Sequence, residues 1–66
     1  MMNWDQIRGN WKQFRGQVRQ KWGKLTDDDM EMIRGRREEL AGKLQKKYGY
    51  AKDEVEREIN EFERSL

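Results

Sequence analysis

Sixty-six residues with 33% hydrophobic and 42% charged content make one small domain, because a chain this short buries only about 60% of the surface its unfolded form exposes. Cysteine and histidine are both missing, which removes disulfides, thiolate metal sites and the commonest general base. The longest apolar runs are two or three residues and no basic-then-apolar leader opens the chain, so the expected location is cytoplasmic, with no membrane attachment.

The first predicted helix covers about residues 3–22. Trp4, Ile7, Trp11, Phe14, Val18 and Trp22 recur at spacings of three or four and form one stripe, which should face the core. Beside it Arg8, Lys12, Arg15 and Arg19 form a basic ridge, while Asn10, Gln13, Gln17 and Gln20 fill the opposite flank and the back. Gly9 and Gly16 fall away from the stripe, where each costs up to about 1 kcal/mol relative to alanine. They read either as a device that keeps the helix marginally stable or as a smooth strip for another chain.

Gly23 is expected to end this helix as a left-handed residue. The stretch WGKLTDDDM follows, residues 22–30, with three adjacent aspartates. With Thr26 as N-cap, Asp27, Asp28 and Asp29 occupy the first helical turn, where negative charge meets the unpaired N–H groups and the positive end of the macrodipole. Asp29 stands where a capping box places its acidic partner, and Leu25 with Met30 has the spacing of a hydrophobic staple. Consecutive helical residues point about 100° apart, so the three carboxylates cannot converge on one ion, and EF-hand spacing is lacking; no metal is expected. The second helix is short and carries Met30 and Ile33, and Gly35 is expected to break it from the third. That third helix, about 36–48, presents Leu40, Leu44 and Tyr48, with Gly42 inside it and Gly49 as its stop. Asp53, with Glu56 three residues on, repeats the cap pattern ahead of a fourth helix, about 53–64, bearing Val55, Ile59 and Phe62.

An offset of 26 pairs Ile7 with Ile33, Arg8 with Arg34, Gly9 with Gly35, Gly16 with Gly42, Lys21 with Lys47, Gly23 with Gly49 and Asp27 with Asp53. Phe14 with Leu40, Val18 with Leu44 and Trp22 with Tyr48 keep the same register without a gap. Each unit is too thin to bury its own apolar face. The expected fold is therefore all-α: a single domain over residues 1–66, built as a four-helix arrangement of two packed αα-hairpins, about 3–34 and 36–64.

Charge runs downhill along the chain. Residues 1–24 carry six basic groups against Asp5, residues 25–52 seven against six, and residues 53–66 two against six. A ridge of arginines and a lysine at helical spacing can follow phosphates, which makes Arg8, Lys12, Arg15 and Arg19 the candidate polyanion-binding residues, set against an ordinary solvated face. The same helix could lie on a membrane surface, but the indoles are better used in a core otherwise short of volume. No convergent polar constellation suggests catalysis, so neither catalytic residues nor a cofactor are expected, and the expected state is a monomer with weak self-association at most.

Gly9, Asn10, Trp11, Lys12, Gln13, Phe14 and Gly16, the run Trp22 to Met30, and Gly35, Leu40, Gly42, Lys43, Gln45, Tyr48, Gly49 and Tyr50 together resemble the CsbD-like family of small bacterial general stress-response proteins. The resemblance covers nearly the whole chain. It implies a cytoplasmic protein produced under stress or on entry into stationary phase, a SAM-domain-like arrangement of two hairpins, and no catalytic residues to carry over. Two function classes follow: a hydrophilin-like protectant, matching the mean hydropathy of −1.40, and a small nucleic-acid or polyanion-binding module using the basic ridge.

Overall fold

Asn3 begins the first helix with a reciprocal cap: its Oδ1 accepts the Gln6 amide at 2.9 Å, and Gln6 Oε1 accepts the Asn3 amide at 3.2 Å. In the computed structural model, which describes residues 3–66, five helices follow: α1 (Trp4–Gly9), α2 (Trp11–Lys21), α3 (Asp27–Ile33), α4 (Arg37–Tyr48) and α5 (Lys52–Arg64). Among these residues there is no strand, and no helix is long and apolar enough to cross a membrane. The first two residues of the expected 1–66 domain lie outside the described residues.

The single helix expected over 3–22 is divided at Asn10, whose backbone sits at φ −123°, ψ 36°. Gly9 loses the most freedom on becoming helical, and the Asn10 side chain competes for the backbone by donating Nδ2 to Gln6 O at 3.2 Å. The apolar stripe survives the break. Ile7, Phe14, Val18 and Trp22 are buried, whereas Trp4 and Trp11 pack half-buried against the core.

Two other expectations are corrected. Gly23 is not left-handed; among the glycines only Gly35 and Gly49 have positive φ. Trp22 already leaves the helix at φ −122°, ψ 83°, and the turn closes through Leu25 N–H to Trp22 O at 3.1 Å and Lys24 N–H to Tyr48 Oη at 3.1 Å. Nor do Asp53 and Glu56 cap the last helix. Helix α5 begins one residue earlier, with Ala51 as N-cap and Glu54 accepting the Ala51 amide at 3.2 Å.

Gly35 does break α3 from α4, together with Arg34, and both are left-handed, at φ 80° and 48°. A Cβ on Gly35 would lie 2.6 Å from Arg8 Cα. The backbone of α1 therefore presses directly on the turn between α3 and α4, and only a residue without a side chain admits that approach. Gly9, Gly16 and Gly42 instead face open space, with nothing within 4 Å of an added Cβ.

The core gathers the register-related positions of both halves. Ile7 and Ile33, Phe14 and Leu40, and Val18 and Leu44 are all buried, as are Leu25, Met30, Val55, Ile59 and Phe62. Helix α4 packs against both α3 and α5. Phe62 of α5 stands 5.3 Å from the Trp22 ring and 6.4 Å from the Trp4 ring, centroid to centroid, which closes α5 over the N-terminal stripe. Every indole N–H is satisfied: Trp4 donates to Glu63 at 2.6 Å, Trp11 to Met30 O at 3.1 Å and Trp22 to Glu58 at 3.0 Å.

Candidate functional site

The bend at Asn10 and the turn after Ile33 bring two basic stretches together. From the ridge come Arg8, Lys12 and Arg15; from the turn come Arg34 and Arg36, further along the chain. With Trp11 and Glu31 they line an open groove of about 410 Å³, five cationic side chains against one carboxylate. Trp11 forms part of the lining and is half-buried; its N–H is committed to Met30 O, so it offers ring surface and no further donor.

The four ridge residues are engaged differently. Arg19 lies 2.6 Å from Asp27, the carboxylate that Arg15 also meets, and stands outside the groove lining. Arg15 is held at 3.5 Å from both Asp27 and Glu31, and Arg8 sits 2.8 Å from Asp5, one turn back on α1. Lys12 and Arg36 have no ion-pair partner among the described residues, and Arg34 makes one local contact, Nε to Glu31 O at 2.9 Å. Such exposed pairs are worth about 0 to 1 kcal/mol, so an incoming anion can displace them.

Arg34 is the one described non-glycine residue with positive φ, a conformation that costs roughly 1 kcal/mol or more for a residue with a side chain. Its neighbour Gly35 cannot share the groove, being pinned against Arg8. The turn thus places an arginine at the left-handed end of α3, its N–H bonded to Met30 O at 3.0 Å, beside the four other cations of the groove.

The three aspartates diverge, each with a different surrounding. Thr26 caps α3 as the sequence predicts: its Oγ1 accepts the Asp29 amide at 3.2 Å and Asp29 Oδ2 accepts the Thr26 amide at 2.9 Å. Asp28 is exposed and Asp27 meets Arg19 and Arg15. Asp29, however, is more than a start signal. It is buried, and Lys43 and Lys47 of α4 reach its two oxygens at 3.3 and 3.2 Å. The Thr26 backbone N–H, with the two ammonium groups behind it and against the cost of burial, lowers its pKa to about 2.

A second ionic cluster closes the seam between α4 and α5. Arg37 grips Glu56 through both terminal nitrogens, at 2.7 and 3.4 Å, and its Nε lies 3.6 Å from Glu63, the carboxylate that also accepts Trp4. Hydrogen bonding to Arg37 lowers the Glu56 pKa, and the same bond raises that of Arg37. The acidic C-terminal segment is therefore largely used in holding helices.

Reading the ridge along one helix missed Arg34 and Arg36, which stand beside Arg8, Lys12 and Arg15 in the groove. The usable signal was the repeat: Arg34 is the counterpart of Arg8 at offset 26, and Gly35 marks the turn that carries it. Lys43 and Lys47 were also missed, although their spacing of four on α4 places both on one face.

The profile of the CsbD-like family matches residues 5–57. The chain is 55% identical over 65 residues to the UPF0337 protein RPA4217 of Rhodopseudomonas palustris, covering 98% of both chains. It is 56% identical over 63 residues to the UPF0337 protein YjbJ of Escherichia coli O6:H1, covering 96% of this chain and 91% of the relative. The UPF0337 protein pc0632 of Protochlamydia amoebophila is 53% identical over 62 residues, 94% of each. A match over most of the chain, joined to near-full-length identity above one half, places this protein in the CsbD-like family of general stress-response proteins.

Proposed function

We propose that this CsbD-like protein is a non-enzymatic, cytoplasmic stress-response protein that binds a polyanion in the groove around Trp11. One observation carries the reading: five cationic side chains from two separate stretches converge there against the single carboxylate Glu31. The same lining disfavours catalysis, because its one carboxylate, Glu31, is engaged by Arg15. Arg8, Lys12 and Arg15 of the predicted ridge belong to this surface; Arg19 is left to its pair with Asp27. The SAM-domain-like pairing of two hairpins belongs to the same proposal, supported by the burial of register-related apolar residues in both halves.

Titration with inorganic polyphosphate at low and moderate salt tests the function. Binding should weaken with salt as bound counterions are released, and Lys12→Gln with Arg36→Gln should flatten that dependence by close to one unit of log–log slope per residue. Unaltered binding by the double variant would sink the reading.

A protectant role is the second reading, favoured by a mean hydropathy of −1.40 and by Met32 as the one large hydrophobic residue exposed among those described. It acts through the whole surface. Protection of a client enzyme during drying should then be the same for the wild type and the Lys12→Gln, Arg36→Gln variant, whereas a groove-based role predicts that only the wild type protects.

A further inference from the structure

We infer that the polyanion is a single-stranded nucleic acid, with an unpaired base laid against Trp11 and its flanking phosphates on Arg8, Lys12, Arg34 and Arg36; this rests on the groove-binding reading above. Three features of the groove select it. The first is the indole. A site for a bare phosphate polymer needs donors and charge, but Trp11 has already given its only N–H to Met30 O and brings a ring to the lining. An aromatic surface flanked by guanidinium planes is how unstacked bases are held without regard to sequence.

The second is shape. The groove is a concavity between α1, the start of α2 and the turn from Ile33 to Arg37, in a molecule only 28 × 25 × 18 Å. A duplex is convex and keeps its bases stacked inside, so it would meet the rims and leave Trp11 untouched. A single strand can turn a base inward while its backbone follows the cations on either side.

The third is charge arrangement. Lys12 and Arg36 stand on opposite stretches of chain and have no ion-pair partner among the described residues. Arg34 beside Arg36 occupies a left-handed backbone position that a glycine or asparagine would fill at lower cost. That backbone position ends α3, with the Arg34 N–H bonded to Met30 O at 3.0 Å, and it leaves the Arg34 side chain on the groove lining beside Trp11.

The experiment titrates the full chain with a short single-stranded oligothymidylate, a hairpin duplex and inorganic polyphosphate at equal phosphate concentration and low salt, following indole fluorescence. The single strand should bind most tightly and quench, with the quench lost in Trp11→Phe, which keeps a ring but removes this fluorophore. Trp11→Leu should bind the single strand about 5- to 150-fold more weakly, the range set by one stacked base. Should Trp11→Leu lose its helical circular dichroism, Lys12→Gln and Arg36→Gln serve instead, each lowering the salt slope for the single strand by about 0.7. Equal binding of polyphosphate and single strand without an indole response would overturn the inference and leave polyanion binding standing. Preference for the duplex would overturn it too, and no binding to any of the three would remove both.

Discussion

Two clusters of positive charge lie on this small protein, and the fold treats them in opposite ways. At the inner end of α3, Lys43 and Lys47 converge on the buried Asp29, each within 3.3 Å of one of its oxygens. Around Trp11, five cations line an open groove whose one carboxylate is Glu31. In the first cluster charge is matched by burial, capping and hydrogen bonding, so it contributes to stability. In the second, like charges crowd an exposed surface that does little for the fold. What separates them is burial of the carboxylate: Asp29 is buried, whereas Asp5, Asp27 and Glu31, the partners of Arg8 and Arg15, are exposed, which marks one cluster as structural and leaves the other for a ligand.

The comparison breaks most readily at Asp29. Asp29→Ala removes the reciprocal cap and strands two lysines, and should cost about 3 kcal/mol in urea unfolding. In a domain of this size that leaves little net stability. A loss below about 1 kcal/mol would mean that the lysine pair is as loose as the groove.

Gly35→Ala should cost about 2 kcal/mol or more, since a Cβ would meet Arg8 Cα at 2.6 Å from a φ of 80°. It should also spread the groove by pushing α1 from the turn, so weaker polyanion binding would accompany the lower melting temperature.

Acid sharpens the contrast. Because the Asp29 pKa is depressed to about 2, its stabilisation is fully present above the unfolded value near 3.9 and is lost as pH falls through 2. The full effect is about 2.6 kcal/mol. Urea midpoints measured at pH 6, 4 and 2 (~ values spanning that window) should fall less steeply for Asp29→Asn than for the wild type.

Smaller effects of opposite sign are expected at the open glycines. Gly9, Gly16 and Gly42 to alanine should each raise stability by up to about 1 kcal/mol, with solution mass unchanged. A change of mass would instead make the exposed glycine strip a self-association surface. Smallest of all, Lys12→Gln and Arg36→Gln should shift stability by no more than about 0.5 kcal/mol while weakening polyanion binding, the opposite pattern to Asp29→Ala.

Much of the fold was legible wherever the cause lies within one helical turn. Thr26 and Asp29 form their cap because both partners are three residues apart, and Leu40 and Leu44 reach the core because four residues return to one face. The break at Asn10 was hidden by a stripe that continues across it, since apolar spacing records which side is buried and not whether the backbone is continuous. Gly23 misled because a glycine past a helix suggests a left-handed stop, while Trp22 had already turned the chain.

By its own pattern the sequence determined the all-helical class, the indole-rich stripe, the start of α3 and the glycine break before α4. Those are short-range consequences of side-chain period, capping chemistry and backbone freedom. Only the tertiary structure decided that Arg34 and Arg36 stand beside Arg8, Lys12 and Arg15, that Arg19 meets Asp27, and that Lys43 and Lys47 meet Asp29. Surface charge follows no period that reports its distant neighbours; they are set when burial of the core and the close passage of Gly35 over Arg8 bring separate helices together.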